Sequence, residues 1–145
     1  MSGVLHGVIA SLKAAAAAAT DSFFKYVTLL LNTTSTNGAQ NNTFLDSSTN
    51  NFTVTRNGNT TQGTFSPFSQ TGWSNYFDGT GDYLSVPRNN AFLPVANEDF
   101  TFEAWVYLTA TPGAQGALIA GLGEYGVDSD WNFDVNSSLQ VGFYI

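Results

Sequence analysis

The stretch DSDWNFD places four side chains with oxygen ligands at alternate positions: Asp128, Asp130, Asn132 and Asp134. Such ligands suit calcium, and in an extended segment all four would lie on one face. The stretch departs from an EF-hand loop because Phe133 stands where that loop needs a glycine. The sequence predicts a calcium site here, with a solvated acidic loop leading into a strand as the alternative.

A second candidate site is carried by FTFEAWVY, in which Glu103, Trp105 and Tyr107 alternate with apolar residues. Alternation puts these three side chains on one face of a strand. Aromatic faces beside a hydrogen-bonding carboxylate suit a sugar ring, which is apolar on one side and polar at its edges. The alternative is that this face packs against a neighbouring segment or subunit. Trp73 and Trp131 carry the same two interpretations.

The glycine-rich stretch FDGTGDYLSV contains two aspartates, Asp78 and Asp82. A phosphate loop is excluded because the stretch has no following G-K-[ST] and no helix pattern after it. Its glycines permit positive φ angles, and its aspartates are typical turn formers. Asp46, in DSSTNN, is predicted to form an Asx turn; Asp46 and Asp82 are weaker calcium candidates.

No catalytic residue is predicted. Glycoside hydrolysis needs two carboxyl groups at a set separation, and FTFEAWVY offers only Glu103. His6 is the single histidine, which argues against a Ser-His-Asp triad and against a multi-histidine metal site. The expectation is a protein that binds and is not an enzyme.

The net charge limits the classes of partner that the chain can bind. The net charge is −7, and the four basic residues are scattered along the chain. Nucleic acid binding requires clustered cations, and an anionic membrane surface would repel the chain, so neither partner is expected. Cysteine is absent, which excludes disulfides and thiolate zinc sites.

The elements that must position these residues fall into two parts. In residues 1–25, apolar residues at helical spacing followed by a run of alanines predict a helical segment. We expect it to dock on a partner, and the alternative is a helix that folds back on its own domain. From residue 26 onward short alternating strands and turn signals predict an antiparallel β-sandwich or jelly roll. FTVTRNGN reads as a strand that ends at an Asn-Gly hairpin turn, and ALIAGLG, WNFDVN and LQVGFYI are predicted as three further strands.

Three stretches taken in order, TFLDSSTNNFTVTRNGN, YFDGTGDYLSVP and FTFEAWVYL, resemble the laminin-G-like, concanavalin A-like lectin/glucanase domain, in the form found in virion proteins of tailed phages. The resemblance covers about residues 26–145. It implies a two-sheet antiparallel jelly-roll sandwich whose first strand is YVTLLLN. It also implies further strands after LQVGFYI, supplied either by a longer chain or by a neighbouring subunit.

The resemblance implies a virion protein, of the tail or a tail fibre. Its N-terminal helix would attach it to other virion proteins, and its lectin-like domain would recognise host surface glycans, as part of a homo-oligomer. Two alternatives stay open. One is a purely structural adaptor or capsid decoration protein without a ligand, and the other is a bacterial cell-surface or secreted lectin.

Overall fold

The computed structural model describes residues 21–31, 42–63, 73–93, 99–124 and 128–145, without the side chains of residues 124, 128 and 129. This part of the chain is mainly β, with antiparallel pairing throughout and two short 3-10 helices, Phe24–Tyr26 and Asn90–Phe92. Its strands are β1 (Thr55–Asn57), β2 (Thr61–Gly63), β3 (Ser74–Tyr76), β4 (Tyr83–Ser85), β5 (Ala117–Glu124), β6 (Asp128–Val135) and β7 (Val141–Tyr144). The mainly β, antiparallel prediction is confirmed.

The predicted N-terminal helix lies outside the described residues, except for its last five positions. There the chain forms the 3-10 helix Phe24–Tyr26. No helix in the described part of the chain is long and apolar enough to cross a membrane.

The prediction that YVTLLLN forms the first strand is wrong over the residues described, 26–31, which carry no strand. Two backbone groups of Leu30, its amide and its carbonyl, bond to residues 46 and 47 instead. The amide of Leu30 donates to the Asp46 carboxylate (3.0 Å), and the amide of Ser47 donates to the Leu30 carbonyl (2.8 Å). The Asp46 side chain thus accepts the hydrogen bond that the backbone of a neighbouring strand would accept in a ladder.

The predicted Asn-Gly hairpin is also wrong, because β1 and β2 do not pair with each other. β1 pairs with β4 and β2 pairs with β3, so the two ladders follow one another along the same two stretches of chain. Between the ladders, residues 58–60 face the longer stretch 77–82. Gly58 does turn with positive φ (68°), as an Asn-Gly sequence predicts, but the turn joins two consecutive ladders.

The three strands predicted from ALIAGLG, WNFDVN and LQVGFYI are confirmed as one antiparallel sheet in the order β5-β6-β7. The pairing of β5 with β6 is irregular at two places. Leu122 pairs with Trp131 and Gly123 with Ser129, so Asp130 bulges from β6 without an opposite residue on β5. The strand begins at Asp128, so the whole of DSDWNFD belongs to it, and the alternative of a loop leading into WNFDV is wrong.

One face of this sheet forms the principal core. Trp131 (5% exposed), Val135 and Leu122 are buried on it. The ring of Phe102 packs on Trp131 with centroids 4.3 Å apart, and Phe143 lies 5.4 Å from Phe102. The indole nitrogen of Trp131 donates to the carbonyl of Phe92 (2.7 Å), which satisfies its one polar group.

The strand predicted from FTFEAWVY is wrong as the structure describes it. Residues 99–108 belong to no ladder in the described part of the chain. The packing of Phe102 against Trp131 and Phe143 holds the segment on the sheet face through its aromatic rings. The exposures of residues 105–108 nevertheless alternate, as the sequence pattern does.

Candidate functional site

The segment of residues 99–108, called the aromatic segment from here on, carries all three predicted sugar-binding residues. Phe100 and Phe102 anchor it, since their rings contact Phe143 at 5.5 and 5.4 Å between centroids. Exposure then alternates along the chain: Trp105 is 89% exposed, Val106 43%, Tyr107 65% and Leu108 37%. The more exposed positions are the ones predicted to share a face.

Glu103 lies two residues before Trp105 and is exposed as well. Glu103, Trp105 and Tyr107 are thus all exposed, as are Ala104, Val106 and Leu108 on the same stretch. An indole, a phenol and a carboxylate at successive alternate positions offer two stacking surfaces and one hydrogen-bond acceptor. This arrangement can hold a flat, partly apolar ligand with polar edges.

The three tryptophans are not equivalent. Trp131 is buried and hydrogen-bonded in the core, so its role is packing. Trp73 is half-buried beside β3. Trp105 alone among them is largely exposed, and burying such a ring against a ligand removes a large apolar area from water. A sequence pattern could not separate Trp105 from Trp131, because both alternate within apolar stretches.

The four predicted calcium ligands all fall on β6, but their surroundings differ. The Asp130 carboxylate accepts from the Arg88 guanidinium at 2.5 Å. Asn132 and Asp134 share one face of the sheet, where Asp134 is only 6% exposed. This face has room for them because glycines stand opposite: a Cβ on Gly121 would lie 2.8 Å from the Asn132 side-chain oxygen, and one on Gly142 would lie 2.9 Å from Asp134 Oδ1.

This set fits calcium poorly, because a calcium ion needs six to eight converging oxygen ligands and Asp130 is committed to an arginine. The bulge at Asp130 also interrupts the alternation that would align its carboxylate with the side chains of Asn132 and Asp134. Within the described residues, no three acidic, histidine or cysteine side chains gather closely enough to hold a metal ion. Calcium binding stays a prediction.

Asp46 binds its own chain. Its carboxylate accepts from the amides of Leu30 (3.0 Å), Ser48 (2.9 Å) and Phe52 (2.8 Å), and the hydroxyl of Ser48 lies 2.8 Å away. The predicted Asx turn is confirmed by the bond from Ser48. Burial raises the pKa of Asp46, but these hydrogen bonds together outweigh it and the pKa is lowered.

Asp82, within FDGTGDYLSV, also accepts from the backbone. The amide of Asp78 donates to one of its oxygens (2.9 Å), and the amide of Asn59 donates to the other (2.6 Å). The bond from Asp78 is the main cause that lowers the pKa of Asp82. The stretch thus closes the gap between the two successive ladders, and the positive φ angles of Gly79 (83°) and Gly81 (72°) confirm the predicted turn.

Comparison with known proteins supports the same class of domain. Residues 78–145 match the family model Laminin_G_3, described as the Concanavalin A-like lectin/glucanases superfamily. The match begins inside FDGTGDYLSV and contains the aromatic segment and the three-stranded sheet. No curated protein and no solved structure matches the chain. A mainly β, antiparallel protein with a lectin/glucanase-like region is the class that fold and comparison define.

Proposed function

We propose that this chain is a carbohydrate-binding protein, and that a sugar ring stacks on Trp105 with Tyr107 beside it and Glu103 accepting from its hydroxyls. The observation that carries the proposal is the 89% exposure of the Trp105 side chain. Leaving a tryptophan in water forgoes about 2–3 kcal/mol of burial, which a ligand that covers the ring recovers. The lectin/glucanase family match over residues 78–145 supports the same class of ligand.

The number of carboxylates near Trp105 supports sugar binding without hydrolysis. A glycosidase needs a second carboxyl group about 5–10 Å from the first, across the bond to be cleaved. The proposed binding residues include a single carboxylate, Glu103, and the other acidic residue of the aromatic segment, Asp99, lies six positions before Trp105. We therefore propose a lectin-like role.

A structural role is the second candidate, and one observation favours it. The aromatic segment belongs to no ladder in the part of the chain that the structure describes, so a strand from a partner could pair with its backbone. Such a strand would cover the segment as part of an assembly, and the protein would then serve as an adaptor or decoration protein without a glycan ligand.

A glycan array probed with the wild type and with Trp105→Ala separates the two candidates. The lectin role predicts a defined set of bound glycans, with the signal lost in Trp105→Ala. Phe23→Ala is the matched control, because Phe23 is an exposed aromatic (71%) in another part of the chain and should leave binding intact. The absence of any Trp105-dependent binding would reject the lectin role.

The placement on a tailed-phage particle is proposed from the sequence resemblance. Residues 1–25 would attach the chain to other virion proteins, with the lectin-like region turned outward as part of a homo-oligomer. Deleting residues 1–22 tests the attachment. The truncated protein should fail to join particles, and normal incorporation would show that the segment is not the attachment device.

A further inference from the structure

The charges of this chain are divided unevenly along the sequence. Residues 1–88 carry four acidic and four basic residues, and residues 89–145 carry seven acidic residues and none that is basic. The whole net charge of −7 thus belongs to the part that contains the aromatic segment and the sheet against which it packs.

The three described cations have partners that do not belong to the aromatic segment. Arg88 donates to Asp130, the Arg56 Nε donates to the Thr60 carbonyl, and Lys25 lies 4.9 Å from the centre of the Tyr26 ring. An acidic glycan at Trp105 would therefore meet Glu103 and Asp99 without a basic residue of residues 89–145 to neutralise it. Sugars that carry carboxylate, sulfate or phosphate groups are disfavoured on these grounds.

We propose that the aromatic segment prefers a glycan that carries protonated amines, such as an oligomer of 2-amino-2-deoxy sugars. This proposal rests on the function proposed above and names the ligand's charge. An ammonium group is attracted by the Glu103 carboxylate and by the electron-rich faces of Trp105 and Tyr107. The carboxylate and both rings are exposed and fall within five consecutive residues, so one amino sugar can meet them together.

Two oligosaccharides of equal length provide the test, one of glucosamine units and the other of N-acetylglucosamine units. Titration calorimetry is run at low salt and mildly acidic pH, where the amines are protonated. One ammonium–carboxylate pair at the surface is expected to make the glucosamine oligomer bind about fivefold more tightly. The ratio should fall towards one at about 1 M salt, where the screening length is about 3 Å.

Matched variants separate a local effect from a general attraction to an acidic protein. Glu103→Gln should abolish most of the fivefold preference. Asp21→Asn removes the same charge from the N-terminal part of the chain, and its side-chain oxygen can still accept from the Phe23 amide, so it should keep the preference. An equal loss in the two variants, or full preference in Glu103→Gln, would overturn the proposal.

Failure of the charge preference and failure of the lectin role give different results. If both oligomers bind equally and Trp105→Ala abolishes binding of each, the preference for amines is wrong and the lectin role stands. If neither oligomer, nor any glycan on the array, binds in a Trp105-dependent way, the lectin role is wrong and the charge preference fails with it.

Discussion

Asp46 and Glu103 both lie on segments that join no sheet within the described residues, yet their carboxylates meet opposite surroundings. Asp46 is 4% exposed and accepts from three backbone amides, so it organises the chain around it. Glu103 is exposed beside Trp105 on a segment that aromatic rings hold in place. A carboxylate that the backbone has saturated is unavailable to a ligand, whereas one displayed beside an exposed ring is available.

The aromatic core and the aromatic surface should respond very differently to truncation. Trp131→Ala removes a buried ring that contacts Phe102 and bonds to Phe92, and we expect it to lower the free energy of unfolding by about 3–5 kcal/mol. Trp105→Ala should change it by no more than about 0.5 kcal/mol. Urea unfolding of the two variants measures this contrast, and equal losses would show that Trp105 is part of the core.

Removal of the buried carboxylate should have the next largest effect. Asp46→Ala leaves the amides of Leu30, Ser48 and Phe52 without their acceptor and is expected to cost about 2–3 kcal/mol. Asp21→Ala removes an exposed acceptor of one amide and should cost about 0.5 kcal/mol. If the two variants were equally stable in urea, Asp46 would not organise its surroundings.

The glycines test how tightly the stretch FDGTGDYLSV closes on the turn opposite. An alanine Cβ at Gly58 would lie 2.7 Å from the Gly81 carbonyl, whereas one at Gly79 would meet open space. Both positions have positive φ, so each substitution should cost about 1–2 kcal/mol. Gly58→Ala should cost at least about 1 kcal/mol more, because the close contact forces the backbone to shift. Equal melting temperatures would contradict this packing.

Acid should lower the free energy of unfolding by protonating Asp46. Its pKa is lowered in the folded state, so its contribution to stability is present above the unfolded pKa of about 3.9 and is lost as pH falls through the folded value. Unfolding free energies measured from about pH 6 to about pH 2 should therefore fall less steeply for Asp46→Asn than for the wild type. Identical slopes would exclude Asp46 as a source of the acid sensitivity.

Local pattern predicted the β6 and β7 strands, the Asx turn at Asp46 and the positive φ angles near Gly79, because each depends on a few neighbouring residues. Pairing depends on distant residues, and there the prediction failed. The Asn-Gly turn after β1 was expected to close a hairpin, but β1 pairs with β4, which lies beyond the whole stretch 58–82. No short stretch of the sequence indicates that β1 pairs with β4 and not with β2.

In the candidate site, too, local features could be predicted and contacts between distant residues could not. Alternation in FTFEAWVY predicted that Trp105 and Tyr107 share a side, and these two are the more exposed among residues 105–108. It could not predict that this backbone would join no ladder of the described strands, nor that Asp130 would pair with Arg88 across 42 positions. The division between Trp131 in the core and Trp105 at the surface is likewise a property of the three-dimensional packing.

The most direct test of the lectin role follows the three tryptophan indole N–H signals by NMR during titration with a glycan from the array. Signals are assigned with single Trp→Phe variants. The Trp105 signal should shift and saturate with the glycan, while that of Trp131, which is bonded to the Phe92 carbonyl inside the core, stays in place. A bound glycan that left the Trp105 signal unmoved would contradict the proposal that this face is the binding site.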